Sequence, residues 1–306
     1  MRVLIVGAGI AGLTAALELR GGGHEVTVIE RLPEIPPGGY MLDFYGPGYD
    51  VAERLSLLST LEGIRHPINR IVLVDGRGHV TTDVSYPRLR RGLFRDRHLN
   101  LMRGELARAL RDRLDREVMI RFGTWPTALD PEGDRITVRT NEGAASYDLV
   151  VGADGAHSRI RDLAFLAGET SIVRLGCHTA AYIAEDAAPE LLTDAFVQMS
   201  APGLSAAAYP IRDGRTATFF LHDAKGALAE RGREACRREL DATYRGHGWI
   251  LDKLLDAFPA EGSVFFDDVF QVDVAHWSGG RVVLVKLLPG RSTTSIVERA
   301  RGRKTS

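Results

Sequence analysis

Four apolar residues in a row, Val3-Leu4-Ile5-Val6, follow Arg2 and stop at Gly7. A short apolar run closed by glycine reads as a buried strand. Residues 10–20 are rich in Ala and Leu and end at Gly21-Gly22-Gly23, which predicts a helix and its stop. Residues 25–29 alternate into a second strand, so the chain opens with a strand–helix–strand unit. Further along, residues 49–58 predict a helix. Residues 68–74 and 79–84 predict a hairpin around Asp75-Gly76-Arg77-Gly78. Leu106, Leu110 and Leu114 are spaced four apart, which predicts a helix over 102–114 with one apolar face. Strands are expected at 118–122, 135–140 and 147–151, and a helix from about 158. From 171 to 221 the texture changes to alternating segments broken by Gly and Pro. Helices are expected at 231–244 and 250–258, with strands at 264–274 and 282–285.

Strands alternating with helices early, and a strand-rich block later, predict an α/β protein: a doubly wound, Rossmann-like nucleotide domain carrying an inserted mixed or antiparallel sheet domain. The expected division is discontinuous. Residues 1–65, 101–165 and 277–285 form the nucleotide domain, residues 66–100 and 166–276 the substrate domain, and 286–306 a basic tail. A length of 306 residues suits two domains.

Composition narrows the function classes. With 39 basic and 40 acidic residues the net charge is −1, which leaves no electrostatic footprint for nucleic acid. Cys177 and Cys236 stand far apart in no metal-ligand spacing and imply no disulfide framework. No apolar run reaches the length of a membrane span, and the start lacks the pattern of a secretory leader. The expectation is a cytoplasmic protein. Oligomeric state has no signal in the sequence. The nine histidines carry no assigned role, and His157 reads as a hydrogen-bonded surface residue.

The first chemical motif is Gly7-Ala8-Gly9-Ile10-Ala11-Gly12, between strand and helix. Gly7 permits the tight turn, Gly9 lets the backbone approach a pyrophosphate, and Gly12 lets helix and strand pack closely. The helix N-terminus would face the phosphates with unpaired N–H groups. Glu30, at the end of the second strand, is placed to accept hydrogen bonds from ribose hydroxyls. A carboxylate there repels a 2′-phosphate, which argues against NADP at this site but leaves FAD and NAD open.

The second motif, Gly152-Ala153-Asp154-Gly155-Ala156-His157-Ser158-Arg159-Ile160-Arg161, follows a buried strand. With it the chain resembles the flavoprotein monooxygenases that include para-hydroxybenzoate hydroxylase and the tetracycline-inactivating monooxygenases. The resemblance implies a glutathione-reductase type FAD domain, with Asp154 and Gly155 at the flavin and Arg161 as a further contact. Read bare, Asp154 is equally a helix cap. Leu101-Met102-Arg103-Gly104-Glu105-Leu106 resembles the family segment whose Arg reaches the ribityl and phosphate region, which makes Arg103 a cofactor candidate. Gly38-Gly39-Tyr40-Met41-Leu42-Asp43-Phe44 resembles the extended segment that runs past the flavin, which makes Asp43 another. Arg31 corresponds to the residue beside the adenine. Local readings stand beside these: a loop Asp for Asp43, surface arginines for Arg31 and Arg103.

The resemblance implies FAD as cofactor and NADPH or NADH as co-substrate. It implies O2 activation as a flavin C4a-hydroperoxide and hydroxylation of an aromatic or polyketide-like small molecule. No catalytic acid, base or nucleophile stands out, and such chemistry needs none, because the flavin performs it. Residues 276–285 match the family's approach to its last nucleotide-domain strand, but Lys286-Leu287-Leu288-Pro289-Gly290 replaces the expected Gly-Asp-Ala and helix. Residues 286–306 hold six basic residues against the single acid Glu298. The expectation is a frameshift or abnormal end after Val285, with a mobile tail and one sheet face left partly uncovered. Three rivals follow: an inactive remnant binding FAD weakly, a flavin-dependent dehydrogenase or reductase on the same fold, and a plain NAD-dependent dehydrogenase that would leave the second motif unexplained.

Overall fold

The structure is a computed structural model that describes residues 1–36, 39–114, 118–166, 168–185, 187, 193–224 and 226–285. The expectations for the tail, residues 286–306, lie outside the described residues.

β1 (Arg2–Val6) is the axis of a six-stranded sheet. β2 (Glu25–Glu30) pairs parallel with it on one side and is followed by β7 (Met119–Phe122). On the other side β11 (Leu149–Gly152) and β18 (Val282–Leu284) continue the parallel run, and β17 (Ser278–Gly279) turns back antiparallel at the edge. Strands buried on both faces need a cover on each. α1 (Ile10–Gly21) and α5 (Arg103–Arg113) supply one, packing Leu13, Leu106 and Leu110 on Val3, Ile5, Val26 and Val28. The other is a three-stranded antiparallel sheet of β8 (Pro126–Glu132), β9 (Arg135–Thr140) and β10 (Gly143–Tyr147), which lays Ile136, Val138 and Tyr147 over Leu4, Val6 and Val150. Val282 and Leu284 join that second core, and Val285 packs on the first, so the described part of the last strand has neighbours on both sides.

The stretch 147–151, read from sequence as one strand, is two. Asp148 separates them. Its amide donates to Arg2 O at 2.8 Å and its Oδ2 accepts the Arg2 amide at 2.6 Å, which ends β10 and begins β11 in another sheet. The helix expected at 49–58 also breaks. Ser56 takes a φ of +56°, and α2 (Pro47–Arg54) gives way to α3 (Leu58–Ile64). The helix over 102–114 and the hairpin around Asp75 form as the pattern predicts.

A seven-stranded mixed sheet draws on two stretches of chain: β4 (Arg70–Val74) and β5 (Val80–Ser85), and then β12 (Thr170–Ala184), β13 (Ala195–Ala201), β14 (Leu204–Pro210), β15 (Thr216–Asp223) and β16 (Val264–Val274). Its back face carries an apolar core. Tyr182, Phe220 and Phe266 pack under α7 (Arg233–Tyr244) and α8 (Leu251–Asp256) through Cys236, Leu240, Tyr244 and Leu254. Its front face turns toward the nucleotide fold. Among the described residues no helix is long and apolar enough to cross a membrane.

Candidate active site

The glycine loop is held by contacts that only glycine permits. Gly7 has a φ of +109°, and a Cβ there would meet Ala153 O at 2.5 Å. The first motif is thus pressed directly against the strand end of the second. A Cβ on Gly12 would stand 1.9 Å from Gly7 O, whereas one on Gly9 would meet nothing within 4 Å. That open space lies at the N-cap of α1, where no side chain caps the first helical N–H groups. Unpaired N–H groups and the positive end of the helix dipole are what a phosphate requires, so the loop fits a dinucleotide.

Glu30 does more here than its spacing suggested. Its Oε2 accepts the Ala8 amide and its Oε1 the Leu32 amide, both at 2.9 Å. The carboxylate pins the loop at one end while each oxygen keeps a lone pair. Arg31 beside it is exposed.

Two candidates from separate motifs meet on a two-stranded ribbon of β3 (Met41–Tyr45) and β6 (His98–Met102). Leu42, Phe44, Leu99 and Leu101 face the core beneath α1 and α5. The alternate residues point to the opposite face of the ribbon, because successive strand residues point to opposite faces, and His98, Asn100 and Met102 are buried there. Asp43 lies opposite Asn100, and Arg103 follows the ribbon as the first residue of α5. The Arg103 amide donates to Tyr40 O at 3.1 Å, and its guanidinium reaches Tyr40 Oη at 3.4 Å.

Asp43 is built unevenly. Its Oδ1 accepts from Tyr86 Oη at 2.8 Å, Asn100 Nδ2 at 2.9 Å and His98 Nε2 at 3.1 Å, while among the described residues no donor holds Oδ2. The side chain is 43% exposed, with its open edge away from those three buried donors. Burial opposes the charge, but the hydrogen bonds from His98 and Tyr86, the charge of His98 and the Asn100 amide outweigh it and hold the carboxyl below its usual range. Burial and the nearby Asp43 charge push the Tyr86 phenol far up, so it stays a donor. Tyr86 sits at the start of α4 (Tyr86–Phe94), a helix the sequence pattern did not predict.

In the second motif Asp154 takes the capping arrangement that the sequence read bare also allowed. Asp154 turns its carboxylate into its own loop: Oδ1 accepts from Ser158 Oγ at 2.5 Å, and Oδ2 from the amides of Arg159 at 2.6 Å and Ile160 at 3.0 Å. This is the helix-capping arrangement, at the start of α6 (Arg159–Ala164). Arg161 is 6% exposed and holds Ala156 O at 2.9 Å, so its guanidinium braces the loop from inside rather than facing an open site. Gly155, with a φ of +81° and open space at its Cβ position, is the part of the motif left facing outward.

The nucleotide fold and the seven-stranded sheet meet along a seam whose residues carried no motif. Tyr209 Oη accepts the Met41 amide at 2.9 Å. Tyr40 sets its ring edge-on to Phe265 at 5.3 Å and Phe219 at 6.1 Å. His157 Nε2 contacts Asp267 Oδ2 at 2.9 Å. Alternation along β15 and β16 is the only sequence signal that could have placed Phe219, Phe265 and Asp267 on one face, and it cannot say which face. The ribbon segment, the second-motif loop and the front of the sheet are therefore in direct contact, through Met41, Tyr40 and His157, along a seam that carries aromatic rings and hydrogen-bonding groups.

Comparison with known proteins agrees with this geometry. Residues 2–39 match the family model described as FAD dependent oxidoreductase. An uncharacterized protein of Mycobacterium tuberculosis is 32% identical over 289 residues, spanning 92% of this chain and 76% of its own length. A flavin-dependent monooxygenase of Legionella longbeachae is 26% identical, spanning 93% and 73%. Among solved structures, tetracycline destructase Tet(51) superposes with a TM-score of 0.81 at 26% identity, covering 93% of this chain and 73% of that one.

Proposed function

The chain belongs to the FAD-dependent monooxygenases, and we propose that it hydroxylates an electron-rich aromatic or polyketide-like small molecule, using NADH or NADPH as reductant and O2 as oxidant. The observation that carries this reading is the seam, where the fold that holds the phosphate-fitting loop meets an aromatic-faced sheet through Tyr40 and His157. FAD, held by the residues named below, would supply the redox chemistry between a nicotinamide and dioxygen.

The chain's own residues bind, orient and exclude water. In this proposal Gly9 leaves room for the pyrophosphate at the head of α1, while Gly7 and Gly12 let the loop and helix pack closely enough to present it. Glu30 offers its remaining lone pairs to the adenosine ribose, and Arg31 flanks the adenine. Arg103 faces the phosphate and ribityl oxygens with a guanidinium suited to them. Asp43 offers Oδ2 to a hydroxyl of the same cofactor, with Oδ1 fixed by three donors so that the carboxylate cannot turn. Asp154 and Arg161 act on the loop rather than on the ligand, and Gly155 presents its backbone. Phe219, Phe265 and Tyr40 give the substrate an aromatic wall of edge-to-face rings.

The test is cofactor extraction followed by turnover. The expected results are FAD in the purified protein and substrate-dependent oxidation of NADH or NADPH, with label from 18O2 in the product. Reductant oxidation with no oxygen incorporated would make the chain a flavin-dependent dehydrogenase or reductase, and absence of flavin would remove the proposal altogether.

A further inference from the structure

On the back of the seven-stranded sheet, away from the seam, strand register lines up three polar residues. Asp268 of β16 pairs with His178 of β12, and His178 pairs with His222 of β15. They share a face with Tyr182, Phe220 and Phe266, under the helices, because each lies an even number of residues from them along its strand. α7 covers the row, and Glu239 reaches down from it. Glu239 Oε1 lies between His178 Nδ1 and His222 Nε2, the latter at 2.8 Å. The three ligand atoms lie within 4.8 Å of one another.

The outer nitrogens fix the tautomers. His178 Nε2 faces two acceptors, Gly226 O at 3.3 Å and Asp268 Oδ1 at 3.4 Å, so it carries the hydrogen. Asp268 is itself anchored by the Leu228 amide and Arg231. His222 Nδ1 faces Tyr244 Oη at 3.3 Å, and that phenol donates its proton to Ser205 O at 3.2 Å, which leaves it an acceptor for Nδ1–H. Both imidazoles then turn a lone pair toward the Glu239 carboxylate. Three acceptors converging on one point in a buried setting require a positive charge between them.

We infer that His178, His222 and Glu239 form a site for a divalent transition metal of the zinc class. Two imidazole nitrogens and one carboxylate oxygen match zinc's preferences. The outward hydrogen bonds to carbonyl, carboxylate and phenol are the second layer that orients metal-bound histidines. Glu239 is 30% exposed, which gives the ion a path in and a water the fourth position. The site would tie α7 to the middle of the sheet. It lies on the opposite face from Phe219, Phe265 and Asp267, so it is independent of the flavin reading.

The experiment uses the full chain after chelator treatment, titrated with Zn2+ and with Co2+. The expected result is about one metal per chain by elemental analysis, a rise in unfolding temperature with Zn2+, and the visible absorption of four-coordinate Co2+. Glu239→Gln and His222→Gln should each abolish the Co2+ spectrum while circular dichroism and flavin content stay as in the parent. If the folded parent binds no metal, or if both variants bind it as the parent does, the inference is wrong and a proton alone holds the cluster.

Discussion

Gly12 approaches Gly7 so closely that a methyl group on Gly12 would stand 1.9 Å from the Gly7 carbonyl oxygen, whereas Gly9 between them faces open space. The two positions therefore separate folding from binding. Gly12→Ala forces α1 away from β1 and should lower stability, seen as a lower urea midpoint. A Cβ at Gly9 meets no atom within 4 Å, so Gly9→Val should leave the midpoint near the parent's while abolishing FAD binding, because the side chain fills the pyrophosphate approach. Undiminished flavin content in Gly9→Val would remove the loop from the cofactor site.

Arg103 is exposed, and among the described residues its guanidinium has one long contact, to Tyr40 Oη at 3.4 Å. Little of the fold depends on it. Arg103→Ala should weaken FAD by about 1–3 kcal/mol, the range for one charged hydrogen bond, with thermal stability of the apoprotein unchanged. Titration of apoprotein with FAD by fluorescence quenching measures this, and an unchanged dissociation constant would return Arg103 to the surface.

The strand–helix–strand start was legible because continuous apolar runs, glycine spacing and the carboxylate at Glu30 all point the same way. The three-stranded cover was only partly so. Pro126 and Pro131 hide β8, and Asp148 ends one strand one residue before another begins, a change of partner that periodicity cannot register. Tyr86, His98 and Asn100 come from a helix and a strand 12 to 14 residues apart, and nothing in their spacing says that they share one oxygen of Asp43. The Asp-Gly motif was legible as a motif but not in its geometry: the same letters serve a carboxylate facing a ligand and one capping its own helix. His178 and His222 are 44 positions apart in sequence and become neighbours only through the pairing of β12 with β15.

Arg161 and Asp154 give a contrast with Arg103. Arg161→Ala would leave Ala156 O without its buried donor, and Asp154→Ala would leave the amides of Arg159 and Ile160 uncapped. Each should cost about 1–3 kcal/mol of folding stability by chemical denaturation, with any loss of flavin following from a loosened loop. Parent-like denaturation midpoints in both variants, with weakened FAD, would mean that these side chains contact the cofactor directly.

Asp43 makes the site sensitive to acid. Burial alone would raise its pKa, but the hydrogen bonds from His98 and Tyr86 and the charge of His98 bring the net value below the ordinary one. A carboxyl whose folded pKa is depressed contributes stability above its unfolded value, about 3.9, and loses it as pH falls through the folded value. Asp43→Asn can still accept from Tyr86 through its amide oxygen, but it does not titrate. The stability gap between parent and variant, read from urea midpoints, should be constant from about pH 7 to 5 and should narrow below about pH 4. Tyr86→Phe removes one donor to Oδ1, so the folded pKa rises toward the ordinary value and the acid-sensitive part of the gap shrinks. A gap between parent and Asp43→Asn that stays constant down to pH 3 would show that the carboxylate gains nothing from its three donors, and the account of a fixed Oδ1 with a free Oδ2 would fail with it.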